Sequence, residues 1–143
     1  MGVTAVVKIL IVDDDLENRE IIKLRLEQAG FEIQEASNGE EGVAMALKNT
    51  PDMIVLDVMM PKMDGWQVCR KLKLNVQTKN IPIIMLTARN QKIEELRGWE
   101  SGANEYLTKP CDPKVLLEKI GSLLPKTKPL DPPRRTQGEE KQK

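Results

Sequence analysis

The sequence predicts an α/β fold, a doubly wound five-stranded parallel sheet carrying five helices. Three observations predict it. Short apolar runs, rich in Val, Ile, Leu and Met, recur along the chain. Segments with helical apolar spacing alternate with them. Acidic, hydroxyl or basic residues stand directly after four of the runs. Regular β-α alternation places helices on both faces of a parallel sheet, and right-handed crossovers restrict the winding.

The elements follow in order. Val6 to Val12 is a β-branched, nearly unbroken apolar run, as suits a strand buried on both faces. Asp13, Asp14 and Asp15 come next, and one of them can cap a helix. Ile22, Leu26 and Ala29 recur at helical spacing over Leu16 to Ala29, and Gly30 is placed as the stop. Phe31 to Ala36 alternates as a strand does. Ser37-Asn38-Gly39 turns the chain into a helix marked by Val43, Ala46 and Leu47, which Pro51-Asp52 breaks after about Asn49. Met53 to Leu56 is a second buried strand, ending at Asp57. Pro61, Asp64 and Gly65 predict a loop, Trp66 to Leu74 a helix, and Asn75 to Asn80 a polar linker. Ile81 to Leu86 is a strand ending at Thr87, with Pro82 near its start, where proline is tolerated. Residues 91–100 predict a helix containing Gly98, and Gly102 ends it. Glu105 to Thr108 is the last strand. Asp112-Pro113 then opens an amphipathic helix carrying Val115, Leu116, Ile120, Leu123 and Leu124.

Beyond Leu124 the composition changes. Residues 125–143 contain four prolines and one large apolar side chain, Leu130, so the expectation is a folded unit over 1–124 and a disordered tail or linker over 125–143. The chain is neutral overall, with 22 basic and 22 acidic residues. Balance of this kind argues against a general nucleic-acid binder. The tail carries six basic and three acidic residues, which leaves residues 1–124 with 16 basic against 19 acidic. Aromatics make up 3% of the chain, so the core must be aliphatic. Cys69 and Cys111 read as reduced packing thiols of a cytoplasmic protein rather than a disulfide framework. No apolar run approaches a membrane span, and no signal peptide is evident at the N-terminus. Histidine is absent, which excludes a Cys/His zinc site, a Ser-His-Asp triad and a phosphohistidine within this chain.

Sites in open α/β sheets form beyond the carboxyl ends of the strands. Here those ends carry Asp13 and Asp14, Asp57, Thr87 and Lys109. Crowded carboxylates repel one another unless neutralised. Their oxygens suit a hard divalent cation, and Mg²⁺ uses few carboxylates while keeping several waters. A lysine supplies a point charge for phosphate, and a threonine hydroxyl can donate to a phosphoryl oxygen. Attack of an aspartate on phosphorus gives an acyl phosphate. Each residue alone has an ordinary alternative: helix caps for Asp13 to Asp15, a turn start for Asp57, a structural hydroxyl for Thr87, a surface amine for Lys109. The joint pattern at four strand ends is what carries the reading.

The segments KILIVDDD (8–15), IVLDVMMPKMDG (54–65), PIIMLTAR (82–89) and GANEYLTKP (102–110) closely resemble the receiver family of two-component response regulators. The resemblance spans roughly residues 7–124. It implies a flavodoxin-like sheet of strand order 2-1-3-4-5, with Asp57 as the phosphoacceptor. It implies direct Mg²⁺ ligation by Asp14, Asp57 and the backbone carbonyl of Met59, with Asp13 acting mainly through water. Lys109 would pair with Asp57 and then with the phosphoryl group, and Thr87 would bond that group and move on activation. Tyr106 matches the switch aromatic, although a half-buried strand residue is its plain alternative. Lys109-Pro110 matches a peptide that is usually cis in this family.

The departures are Cys111, where an aromatic is common and packing beside the lysine loop would be looser, and Gly98 inside the fourth expected helix. Met59 and Arg89 occupy variable positions that tune phosphoryl lifetime in this family. The expected partners are a histidine kinase or phosphotransfer protein, docking largely on the first helix, and a downstream protein. The downstream partner would use the face made by the 91–100 helix, the 105–108 strand and the last helix. Neither nucleic acid nor membrane is expected as a partner of this chain, and the expected state is a monomer or a phosphorylation-dependent dimer. Three alternatives remain. One is a receiver module excised from a longer regulator or hybrid kinase, with 125–143 as its linker. Another is a phosphatase of the haloacid-dehalogenase type, against which Met59 speaks because such enzymes place a second Asp there. The last is a pseudo-receiver, against which the intact Asp13, Asp14, Asp57, Thr87 and Lys109 speak.

Overall fold

The computed structural model describes residues 6–87 and 102–124. Five strands form one parallel sheet: β1 (Lys8–Val12), β2 (Glu32–Ala36), β3 (Met53–Asp57), β4 (Ile83–Thr87) and β5 (Glu105–Thr108), ordered β2-β1-β3-β4-β5. Four helices are found among the described residues: α1 (Leu16–Gln28), α2 (Gly39–Asn49), α3 (Gly65–Lys73) and α4 (Pro113–Leu123). The expected helix at 91–100, with Gly98 and Arg89, lies outside the described residues, as does the 125–143 tail.

Alternation along the central strands divides the core into two layers, because successive side chains point to opposite faces. Leu10, Val12, Ile54, Leu56, Ile83 and Met85 pack on one face, against Ala46 of α2 and Val68, Cys69 and Leu72 of α3. Ile9, Ile11, Met53, Val55, Ile84 and Leu86 pack on the other, against Ile22 and Leu26 of α1 and Leu116 and Ile120 of α4. Both layers are mainly aliphatic, as the low aromatic content requires.

Local signals set the element ends. Asp15 caps α1, accepting from the backbone N–H of Glu17 and Asn18. Gly30, at φ +100°, reverses the chain after that helix. Ala29 is exposed as the C-cap and does not belong to the buried stripe, a correction to the apolar face expected for this helix. Asp64 opens α3 in a reciprocal capping box with Gln67, so the helix begins one residue earlier than its apolar spacing predicts. Asp112 caps α4, with Pro113 in the first turn.

Candidate functional site at the carboxyl ends of the strands

β1 and β3 are adjacent in the sheet, so their carboxyl ends deliver acidic residues to one place. Asp13 continues the ladder past Val12, donating its backbone N–H to Ala36 O at 3.1 Å. It is 1% exposed, and Asp57 at the end of β3 is 2% exposed. Asp14, by contrast, is open to solvent. Asp13, Asp14 and Asp57 each present a carboxylate oxygen within 4.8 Å of the others.

Lys109, just past β5, reaches across β4 to this cluster. Its Nζ lies 2.6 Å from Asp57 Oδ1. This is an ion contact without the angle of a directed hydrogen bond, so Oδ1 is buried with no directed donor. The backbone N–H of Lys109 donates to Thr87 O at 2.7 Å, which fixes the lysine relative to the end of β4. The Lys109–Pro110 peptide is cis.

The two partners do not shift as an isolated ion pair would. Burial pushes the Asp57 carboxyl up to about 6 from an ordinary 3.8; Lys109 opposes this, and the charges of Asp13 and Asp14 add to it. Burial by itself would lower the Lys109 ammonium, but Asp57, Asp13 and Asp14 together carry it above its usual value. The site therefore holds more negative charge than one lysine can offset. A hard cation with oxygen ligands fits this donor set: three carboxylates, one with an oxygen lacking a directed donor.

The remaining expected residues fall as follows. Thr87 is 3% exposed at the end of β4, opposite Thr108 of β5. Tyr106 is half-buried on β5, packed against the α2/α3 layer and paired with Met85. Met59 stands in the loop after β3 with its side chain 61% exposed. Cys111 is half-buried against the α1/α4 layer. A cavity of about 40 Å³ lies beside it, lined by Asn18, Ile22, Leu86, Lys109 and Leu116 among others.

Sequence reasoning missed three residues that shape the site. Asn18 donates from Nδ2 to Asp13 Oδ2 at 2.5 Å. Arg19 donates from Nη1 to Asp13 O at 2.6 Å and from Nε to Glu35 Oε1 at 3.0 Å, tying α1 and β2 to the end of β1. Gly65 lies against Asp57, where a Cβ would collide with that residue's own carbonyl oxygen. The signal for Asn18 and Arg19 was their place in the first turn after three aspartates, which read only as the start of a helix.

The family model for the response regulator receiver domain matches residues 9–121. The DNA-binding dual master transcriptional regulator RpaA of Synechocystis is 42% identical over 120 residues, covering 84% of this chain and 50% of that protein. The transcriptional regulatory protein SrrA of Staphylococcus aureus is 45% identical over the same length, covering 84% and 48%. The chain thus spans about half the length of these curated relatives. Among solved structures, a putative response regulator from Chloroflexus aurantiacus aligns with a TM-score of 0.80 at 38% identity, covering 83% of this chain and 98% of that one. The chemotaxis protein CheY4 of Vibrio cholerae aligns with a TM-score of 0.80 at 35% identity, covering 84% and 100%.

Proposed function

Since the chain belongs to the response regulator receiver domain family, we propose that it accepts a phosphoryl group on Asp57 and so switches a protein-interaction surface. The observation that carries the reading is the setting of Asp57. It is a buried carboxylate between two acidic neighbours and an ammonium 2.6 Å away. A carboxylate oxygen of Asp57 attacks phosphorus. The bond from phosphorus to its leaving group breaks, and the electron pair leaves with that group. Because this chain has no histidine, the natural donor is a phosphohistidine on a kinase or phosphotransfer protein.

Phosphoryl transfer depends mainly on positioning and charge. Lys109 meets the incoming phosphoryl oxygens with its ammonium. Thr87 donates its hydroxyl to one of them, and its movement, with that of Tyr106, carries the change to the β5/α4 side. Asp14, Asp57 and the Met59 backbone carbonyl would hold Mg²⁺ directly, and Asp13 would hold it through water. Bound there, the cation offsets charge on the acceptor and the transferred group. The chain is then a stoichiometric acceptor that hydrolyses its own acyl phosphate, not a turnover enzyme, and Met59 in place of a second acid supports this. We place it in the cytoplasm; no helix among the described residues is long and apolar enough to cross a membrane. The kinase docks largely on α1, the downstream protein binds the face that includes β5 and α4, and the 125–143 segment is a polar tail or linker.

The test is intact mass after incubation with acetyl phosphate, with Mg²⁺ and with EDTA. The expected result is a Mg²⁺-dependent gain of one phosphoryl group, absent in Asp57→Asn. Labelling that persists in Asp57→Asn overturns the acceptor assignment. Rapid release of inorganic phosphate with no phosphorylated protein accumulating points instead to a phosphatase. No labelling from either acetyl phosphate or a phosphohistidine donor points to a pseudo-receiver.

A further inference from the structure

Asp13 differs from the other two acidic residues in how its carboxylate is held. Its Oδ1 accepts the backbone N–H of Asp15 at 2.9 Å. Its Oδ2 accepts Nδ2 of Asn18 at 2.5 Å. Its backbone oxygen accepts Nη1 of Arg19 at 2.6 Å. Every oxygen of this residue is therefore fastened to the N-cap or the first turn of α1, and that turn is itself fixed by the Asp15 cap. Rotating the carboxylate inward toward a cation would break the bond to Asn18 or the bond to Asp15.

An oxygen that already accepts a short hydrogen bond shares its charge with the donor and has a fixed direction. It remains able to accept a hydrogen bond from a metal-bound water, but it is poorly placed to become a direct ligand. That distinction separates the two common hard cations. Mg²⁺ keeps several waters and takes few carboxylates, whereas Ca²⁺ gathers six to eight oxygens in a looser shell. We propose that Asn18 is a specificity-determining positioning residue: by pinning Asp13 Oδ2 it keeps Asp13 in contact with the cation through water and so favours Mg²⁺ over Ca²⁺. This rests on the metal-dependent reading above. Asn18 itself touches neither the cation nor the phosphoryl group.

The experiment is calorimetric titration of the full chain with Mg²⁺ alone and with Ca²⁺ alone, for wild type, Asn18→Ala, Asn18→Leu and Asp14→Asn. Alanine keeps the backbone N–H that Asp15 caps, leucine keeps side-chain bulk, and urea unfolding checks that each variant is folded. Freed from Asn18, Asp13 Oδ2 would be able to turn toward the cation and supply one of the additional oxygens that Ca²⁺ takes. The expected result is a fall of about tenfold or more in the ratio of Ca²⁺ to Mg²⁺ dissociation constants in both Asn18 variants. A ratio within twofold of wild type overturns the inference, including the case where both affinities drop together, which marks a packing role. The Asp14→Asn arm tests the underlying reading separately. If wild type binds no Mg²⁺, or Asp14→Asn binds it equally well, the metal site itself is wrong and the proposal falls with it.

Discussion

Two half-buried lysines stand at opposite ends of the same sheet, and they are built for different tasks. Lys109, beyond the carboxyl end of β5, faces a carboxylate at 2.6 Å, and its ammonium is held above the usual range. Lys73, the last residue of α3, reaches the amino ends of β4 and β5. There it donates to Ile81 O at 2.7 Å, Lys79 O at 3.1 Å and Asn104 Oδ1 at 3.4 Å. Its acceptors are neutral, so burial lowers its ammonium below the usual value, with only the field of Cys69 opposing. A lysine facing neutral oxygens fastens loops. A lysine facing a crowd of carboxylates leaves an unsettled charge balance, which is where an anion and a cation can be exchanged. Burial is similar in the two cases, so burial alone does not mark a functional site.

The largest expected effect is on transfer. Lys109→Ala should slow acetyl-phosphate labelling about 100-fold or more, equivalent to about 3 kcal/mol of lost charge stabilisation. Lys73→Met should leave the rate within about twofold. Mass-resolved labelling rates for both variants check this, and a comparable loss in the two would erase the contrast.

Next is the stability cost carried by Asp57. Its folded-state value of about 6 lies above the ordinary 3.8. The folded form therefore holds the proton more tightly than the unfolded chain. The stability this group contributes is full below about pH 4 and is lost as pH rises through about 6. Without metal, Asp57→Asn should raise unfolding stability by about 1–3 kcal/mol at pH 8, with the gain gone by pH 4. Urea unfolding at the two pH values decides it; destabilisation at pH 8 would show that the Lys109 contact outweighs burial.

A smaller effect is expected at the other end of the sheet. Lys73→Met leaves the partly buried Ile81 carbonyl oxygen without its ammonium donor and should cost about 1 kcal/mol in urea unfolding. An unchanged midpoint would mean that water replaces the ammonium. Smallest is the coupling between Lys73 and Asn104, whose Oδ1 also accepts Ile83 N–H at 2.9 Å. A double-mutant cycle of Lys73→Met with Asn104→Ala should show about 0.5–1 kcal/mol of interaction. Strict additivity would separate the two loops.

The acidic cluster was legible because a parallel sheet sends every strand's carboxyl end to one side. Asp13, Asp14, Asp57, Thr87 and Lys109 all follow apolar runs that name themselves as strands. The clamp on Asp13 was not legible. Asn18 and Arg19 look like exposed residues in the first turn of a helix, and nothing in their spacing says that they reach back to β1. Gly65 was hidden in the same way, since its need for a missing Cβ comes from the Asp57 carbonyl packed against it.

What the sequence alone determined is the alternation of strands and helices, the cap at Asp112, and the residue types at the strand ends. These depend on local apolar periodicity and on side chains bonding to backbone a few residues away. What only the tertiary structure decided is the charge state and orientation of the cluster. Asp57 is raised, Lys109 is drawn to it and Asp13 is pinned by Asn18 because burial, distance and direction between residues far apart in the chain exist only once the sheet has formed.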